Sequence, residues 1–144
     1  MILLTPELRG ALRANDRSHR AACRERLPET DPFPVLKLFN PIGAATWLAT
    51  ELGEDEDTLF GLADLGFGCP ELGCFSLSEI ASVRLPFGLG IERDEGFEGL
   101  APLLPWAALA RRHGSIIAAE RLLRAGSRFP LPSGEAPAGD SRDG

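Results

Sequence analysis

Residues 35–79, VLKLFNPIGAATWLATELGEDEDTLFGLADLGFGCPELGCFSLSE, decide the fold. Residues 35–39 are β-like, and Asn40, Pro41, Ile42 and Gly43 supply turn chemistry. Residues 45–52 then alternate, which puts Leu48 and Leu52 on one face with Thr46 and Thr50, and Trp47 on the other. A polar hairpin loop, residues 53–57, leads into a third strand over residues 58–65. That strand carries Phe60 and Leu62 on one side and Leu59, Ala63 and Leu65 on the other. Apolar residues on both faces predict a central strand covered from two sides. After the turn at residues 66–70 comes a brief strand near 73–75. The short connections require antiparallel pairing, because a parallel crossover needs a dozen or more residues. Ser76 and Glu79 form a capping box that opens a helix to about Arg84. Residues 88–94 supply one more edge strand, with Ile91 facing inward.

Outward from this stretch the signals turn helical. Thr5, Pro6 and Glu7 are a strong helix start, and Leu8 and Leu12 lie one turn apart. The spacing predicts a helix to about residue 14 with Asn15 as its left-handed stop, then a separate arginine-rich surface helix over 17–26. Pro28, Pro32 and Pro34 make residues 27–34 a linker. On the C-terminal side, residues 102–113 form a helix ending in Arg111, Arg112 and His113 before Gly114. Ser115 caps another helix, 116–125, which Gly126 stops. Residues 127–144 lack periodicity and read as a disordered tail. The expectation is a single α+β domain over residues 1–126: a small, mainly antiparallel sheet of four or five strands with flanking helices.

Composition bounds the rest. A chain of 144 residues with 44% hydrophobic content and a mean hydropathy of −0.03 fits one globular domain with a real core. The apolar opening of residues 1–4 is cut short by Thr5-Pro6-Glu7, so no export signal is expected, and no run is long enough to span a membrane. Three cysteines without an export signal read as reduced thiols, and the expected location is the cytoplasm.

The net charge of −6 conceals segregation. Residues 1–28 hold six arginines against three acids. Residues 29–100 hold fourteen acids against three cations, and residues 101–126 hold four arginines against Glu120. Either the basic arms pack on the acidic middle and neutralise it, or an acidic face remains for a basic partner.

The segments LLTPELR, KLFNP, GAATWLATEL, FGLADLGFGCPELG, SLSEI and GLGIERDEGF resemble, in order and spacing, one small bacterial family, domain of unknown function 2958. The resemblance runs from about Leu3 to Phe97. It implies a small α+β protein carried on plasmids, integrative elements and phages, near anti-restriction or DNA-transfer genes. It carries over no active site. The chain departs from the family pattern at Cys69 and Cys74, where an aromatic or other apolar residue is expected.

Candidate chemistry is sparse. Cys69 and Cys74 lack the further thiolate or imidazole ligands of a structural zinc, so they read as small core residues beside a turn, and no metal or cofactor is expected. His19 and His113, both at arginine-rich positions, read as exposed surface. Asp64, Glu71 and Glu79 are the only candidates for a metal-dependent hydrolase. The glycines at 61, 66, 68 and 73 match no phosphate cradle and read as turn and bulge residues. Arg9, Arg13, Arg17, Arg20 and Arg24 could contact nucleic acid phosphates, against the acidic balance of the chain. The leading expectation is a non-enzymatic accessory or interaction protein of a mobile element. It would engage a basic protein through Glu51, Glu54, Asp55, Glu56, Asp57 and Asp64.

Overall fold

The computed structural model describes residues 2–128; the expectation of a disordered tail falls, from residue 129 onward, outside the described residues. Strands β1 (Leu36–Phe39), β2 (Thr46–Leu52), β3 (Thr58–Asp64), β4 (Glu71–Ser76) and β5 (Glu92–Arg93) form one sheet in the order β4-β3-β2-β1-β5. Every pairing is antiparallel. Four helices flank it: α1 (Pro6–Arg24), α2 (Leu77–Ala81), α3 (Leu103–His113) and α4 (Ile116–Arg128). This is the expected α+β architecture. Among the described residues no helix is long and apolar enough to cross a membrane.

The sheet is covered on both sides. On the α1 side, Leu12 packs with Leu36, Leu38, Trp47, Ala49, Leu52, Leu59 and Ile91. On the other, Leu48 and Leu62 meet Leu103, Trp106, Ala107, Ala110, Ile116 and Ala119 from α3 and α4. Trp106 is fully buried and its indole N–H donates to the Gly99 carbonyl at 2.6 Å, which satisfies the ring's one polar atom. β2 is buried along its whole length, so it is the central strand.

The alternation of β2 fails at one place. The β2–β3 register shifts between Ala49 and Glu51, leaving Thr50 as a bulge. An extra residue moves every later side chain to the opposite face. Leu48 therefore joins the α3 and α4 core, while Leu52 joins the α1 core, and the two do not share a face as expected. Gly61 sits opposite Ala49 at this bulge, where a Cβ would run into the Leu48 carbonyl. That glycine lies opposite the bulge on the partner strand, not in the bulge as the sequence suggests. Gly66 and Gly68 adopt φ of 93° and 85° in the β3–β4 turn, a conformation glycine takes at no steric cost.

α1 is one helix, not two. Thr5 accepts from the Leu8 amide at 3.2 Å as its N-cap, and the helix continues past Asn15 to Arg24. Asn15 does not stop it because its side chain has a tertiary partner: it donates to the Thr50 carbonyl at 2.9 Å. Arg13 donates likewise to the Leu52 carbonyl at 2.7 Å. β1 pairs only with residues 46–49 of β2, so beyond the bulge that edge of β2 is open and α1 side chains occupy it. Asp16 and Ala22 are buried in consequence, and the arginine-rich half packs against the sheet.

Two further helix ends differ from expectation. α2 stops at Ala81, short of Arg84. Ser76 accepts from the Glu79 amide at 3.1 Å, but the amide of Ser78 is taken by Asp57 at 2.8 Å, so a carboxylate from the hairpin completes the cap. α4 begins with Ser115 accepting from the Ala118 amide at 3.0 Å and runs through Gly126 to Arg128.

Candidate functional site

Glu51, Phe60 and Cys74 stand side by side across β2, β3 and β4, because Phe60 is the register partner of both others. Opposite this row, α1 presents His19, Arg20, Cys23 and Arg24, which fall within two turns of one helix. Glu54 and Asp55 of the β2–β3 hairpin close the rim. Together these residues line an open cleft of about 980 Å³.

The six carboxylates expected to form an acidic face have separate tasks. Glu51 is 8% exposed, and its Oε2 lies 3.2 Å from His19 Nδ1. Asp55 accepts from the Thr58 hydroxyl at 2.6 Å, the Thr58 amide at 2.8 Å and the Asp57 amide at 2.9 Å. Those bonds, the Thr58 hydroxyl foremost, hold its pKa down at about 2. Glu56 is clamped by Arg9, whose Nε and Nη2 donate at 2.5 and 2.7 Å, and Arg13 Nε lies 3.7 Å away. Asp57 accepts from the Ser76 hydroxyl at 2.7 Å and the Ser78 amide, which lower its pKa. Asp64 is 1% exposed and accepts from the amides of Gly66 and Ile116, each at 2.9 Å. Glu54 alone of the six makes no hydrogen bond or ion pair among the described residues; Arg20 acts on it only at longer range.

The charge segregation of the sequence therefore closes up in the fold. Arg9 and Arg13 lie on Glu56, and Arg13 and Arg20 lie 2.8 and 2.9 Å from Asp16. Burial pushes the Asp16 carboxyl up, but hydrogen bonds from Arg20 and Arg13 outweigh it and hold the pKa below the usual value. The basic helix neutralises much of the hairpin, and the expected continuous acidic face contracts to the cleft mouth around Glu54. The reason is geometric: the open edge of β2 draws α1 alongside the hairpin that carries the acids.

The other candidates are dispersed. Of the α1 arginines, Arg17 and Arg24 are exposed and make no ion pair with a carboxylate among the described residues, whereas Arg9, Arg13 and Arg20 are engaged. Asp64 and Glu71 lie at one end of the β3–β4 pair and Glu79 lies beyond the other, past Ser76. With the five strand residues 72–76 between the two ends, at about 3.3 Å each, the three do not form one site. Among the described residues no cluster of His, Cys, Asp and Glu could hold a metal ion. Cys69 and Cys74 are exposed rather than core residues, and so is Cys23. His113 is exposed as expected, but His19 is half-buried against Glu51.

Sequence reasoning missed Asp16 and His19. The first was within reach, since Arg13 and Arg20 flank it at i−3 and i+4 on one helix face. The second was not, because its partner lies 32 residues away.

No curated protein and no solved structure matches the chain. One family does: protein of unknown function (DUF2958), matched over residues 3–117. The match extends past the segments that first suggested it, through α3 and into the first turn of α4. The chain belongs to the DUF2958 family.

Proposed function

We propose that this protein is a non-enzymatic interaction protein that receives a basic segment of another protein in the cleft between α1 and the β2–β3 hairpin. The observation that carries this reading is Glu54. Among the described residues it makes no hydrogen bond or ion pair, and it lines the cleft together with Asp55, the buried Glu51 and the aromatic Phe60. A cation entering there meets carboxylates on the hairpin side and an aromatic lining residue in Phe60, which together favour guanidinium or ammonium groups. Arg24, on the facing wall, pairs with no carboxylate among the described residues and would select against a uniformly cationic ligand bound deeper. The family resemblance implies a mobile-element setting, where DNA-handling proteins are the natural basic partners, and the role proposed is that of an accessory factor acting on one of them.

The experiment is affinity capture of basic proteins from the host with the wild type and with Glu54→Lys. Reversing the whole run of residues 54–57 is the wrong test, because Asp55, Glu56 and Asp57 hold the hairpin, α1 and α2 in place. Retention of basic proteins lost in Glu54→Lys, with unfolding unchanged, supports the reading. Equal retention by both contradicts it.

A further inference from the structure

The two edges of the sheet are unequal. β5, at one edge, is two residues long and carries Arg93, the usual kind of protection against strand pairing. β4, at the other edge, is six residues long, about 20 Å, and reads ELGCFS. It contains no proline, no lysine or arginine and no bulge, and its register with β3 is unbroken from Glu71 to Ser76. The direction of its backbone groups follows from the ladder. The Leu77 amide donates to the Asp57 carbonyl, so in antiparallel alternation the amides of Phe75 and Gly73 also point to β3. The Phe60 carbonyl accepts from the Thr50 hydroxyl on the opposite side, which agrees with this phase. The N–H and C=O groups of Leu72 and Cys74 are therefore turned outward, away from the sheet.

Charge says what can pair with them. Glu71 begins the strand, and Glu79 and the hairpin residue Glu54 lie near its other end; none of the three makes an ion pair or side-chain hydrogen bond among the described residues. Between them the strand is neutral. A second copy of this chain paired along β4 would bring carboxylates and no cation to the edge. An extended segment with lysine or arginine toward each end is complementary to it.

We infer that β4 receives a basic segment of the partner as a sixth strand, with its backbone bonded to Leu72 and Cys74 and its cations held by Glu71 at one end and by Glu79 and Glu54 at the other. This rests on the reading that the partner is basic, and names how it is held. Cys74 belongs to both surfaces: its outward backbone lies on the edge and its side chain lines the cleft, so a strand added here borders the cleft mouth.

The probe is a seven-residue peptide with lysine at both ends and alternating valine and threonine between, compared with the same peptide ending in glutamate. Its affinity is measured with the full chain, Cys74→Pro and Cys74→Ser. Proline at Cys74 removes one outward N–H and none directed at β3, so unfolding should remain cooperative. Hydrogen exchange reads the amides directly. Expected are slowing of exchange at Leu72 and Cys74 by at least tenfold on peptide addition, at least tenfold weaker binding to Cys74→Pro, and a much smaller change in Cys74→Ser, which keeps the outward N–H. Lysine peptide that binds Cys74→Pro as tightly as the wild type, or that leaves those amides unprotected, overturns strand addition and leaves the basic-partner reading standing. Glutamate peptide that binds as well as lysine peptide overturns the basic-partner reading, while protection at Leu72 and Cys74 would still support the edge. No binding of either peptide by the wild type overturns the inference.

Discussion

The Asp64 carboxylate at the end of β3 accepts the amide of Ile116, 52 residues away, at 2.9 Å and in a fully buried setting. Its other oxygen takes the Gly66 amide. One side chain thus closes the β3–β4 turn and caps α4, which pins a helix of the second core to the sheet. Asp64 is a brace, and its acidity serves the positive end of a helix rather than a partner or substrate.

Replacing Asp64 by alanine leaves two amides without their acceptor. We expect a loss of about 2 kcal/mol, the usual cost of a lost cap or of buried donors left unpaired. Asn, which keeps one acceptor oxygen, should lose less. Urea unfolding of the two variants measures the difference, and a change below about 0.5 kcal/mol for the alanine variant would remove Asp64 from the role assigned to it.

Asn15 and the bulge it serves make a second case. Asn15→Ala should cost about 1 kcal/mol, the net value of one hydrogen bond, because the Thr50 carbonyl loses its α1 donor. Asn15→Gly should cost more, through helix propensity, since the residue lies inside α1. Had Asn15 been the left-handed stop of a short helix, glycine would have been the better residue.

Gly61→Ala tests the same region from the other strand. The added methyl would run into the Leu48 carbonyl, and backbone cannot swing aside as a side chain can. A destabilisation of at least about 2 kcal/mol is expected, in the range of overpacked cores, and is read from the denaturation midpoint.

The hairpin loop has an acid signature. Asp55 titrates at about 2 in the folded protein against 3.8 for an unperturbed aspartate. A depressed pKa means that its contribution to stability is full above pH 3.8 and drains away as the pH falls from there toward 2, where the unfolded chain takes the proton first. Asp57, also lowered, acts in the same direction. Asp55→Ala should flatten the fall in melting temperature below pH 4 relative to the wild type, and a parallel acid limb would contradict the assignment.

Much of the fold was legible because local signals agreed. The hairpin, the Thr5 cap and the apolar faces of Phe60 and Leu62 each appear in the structure as the sequence suggests. The exceptions have a common physical source, which is contact between distant segments. A bulge at Thr50 leaves no mark on composition, yet it reverses the face of Leu52. Asn15 and Asp57 have ordinary stop and loop chemistry in sequence, and only their tertiary partners, Thr50 and Ser78, give them other work. The contraction of the acidic face has the same source, since charge counted along the chain does not register that Arg9 and Glu56, 47 residues apart, meet.

What remains of that face is the cleft mouth, and its most direct test is amide chemical-shift mapping at low salt with a short peptide whose only cations are one terminal pair of lysines, repeated with Glu54→Lys. Expected are shifts concentrated at Glu51, Glu54, Asp55 and Phe60 and an affinity at least tenfold weaker in the variant, equivalent to about 1.4 kcal/mol. Shifts spread over the remaining exposed acids, with the variant binding as tightly as the wild type, would contradict the basic-partner reading.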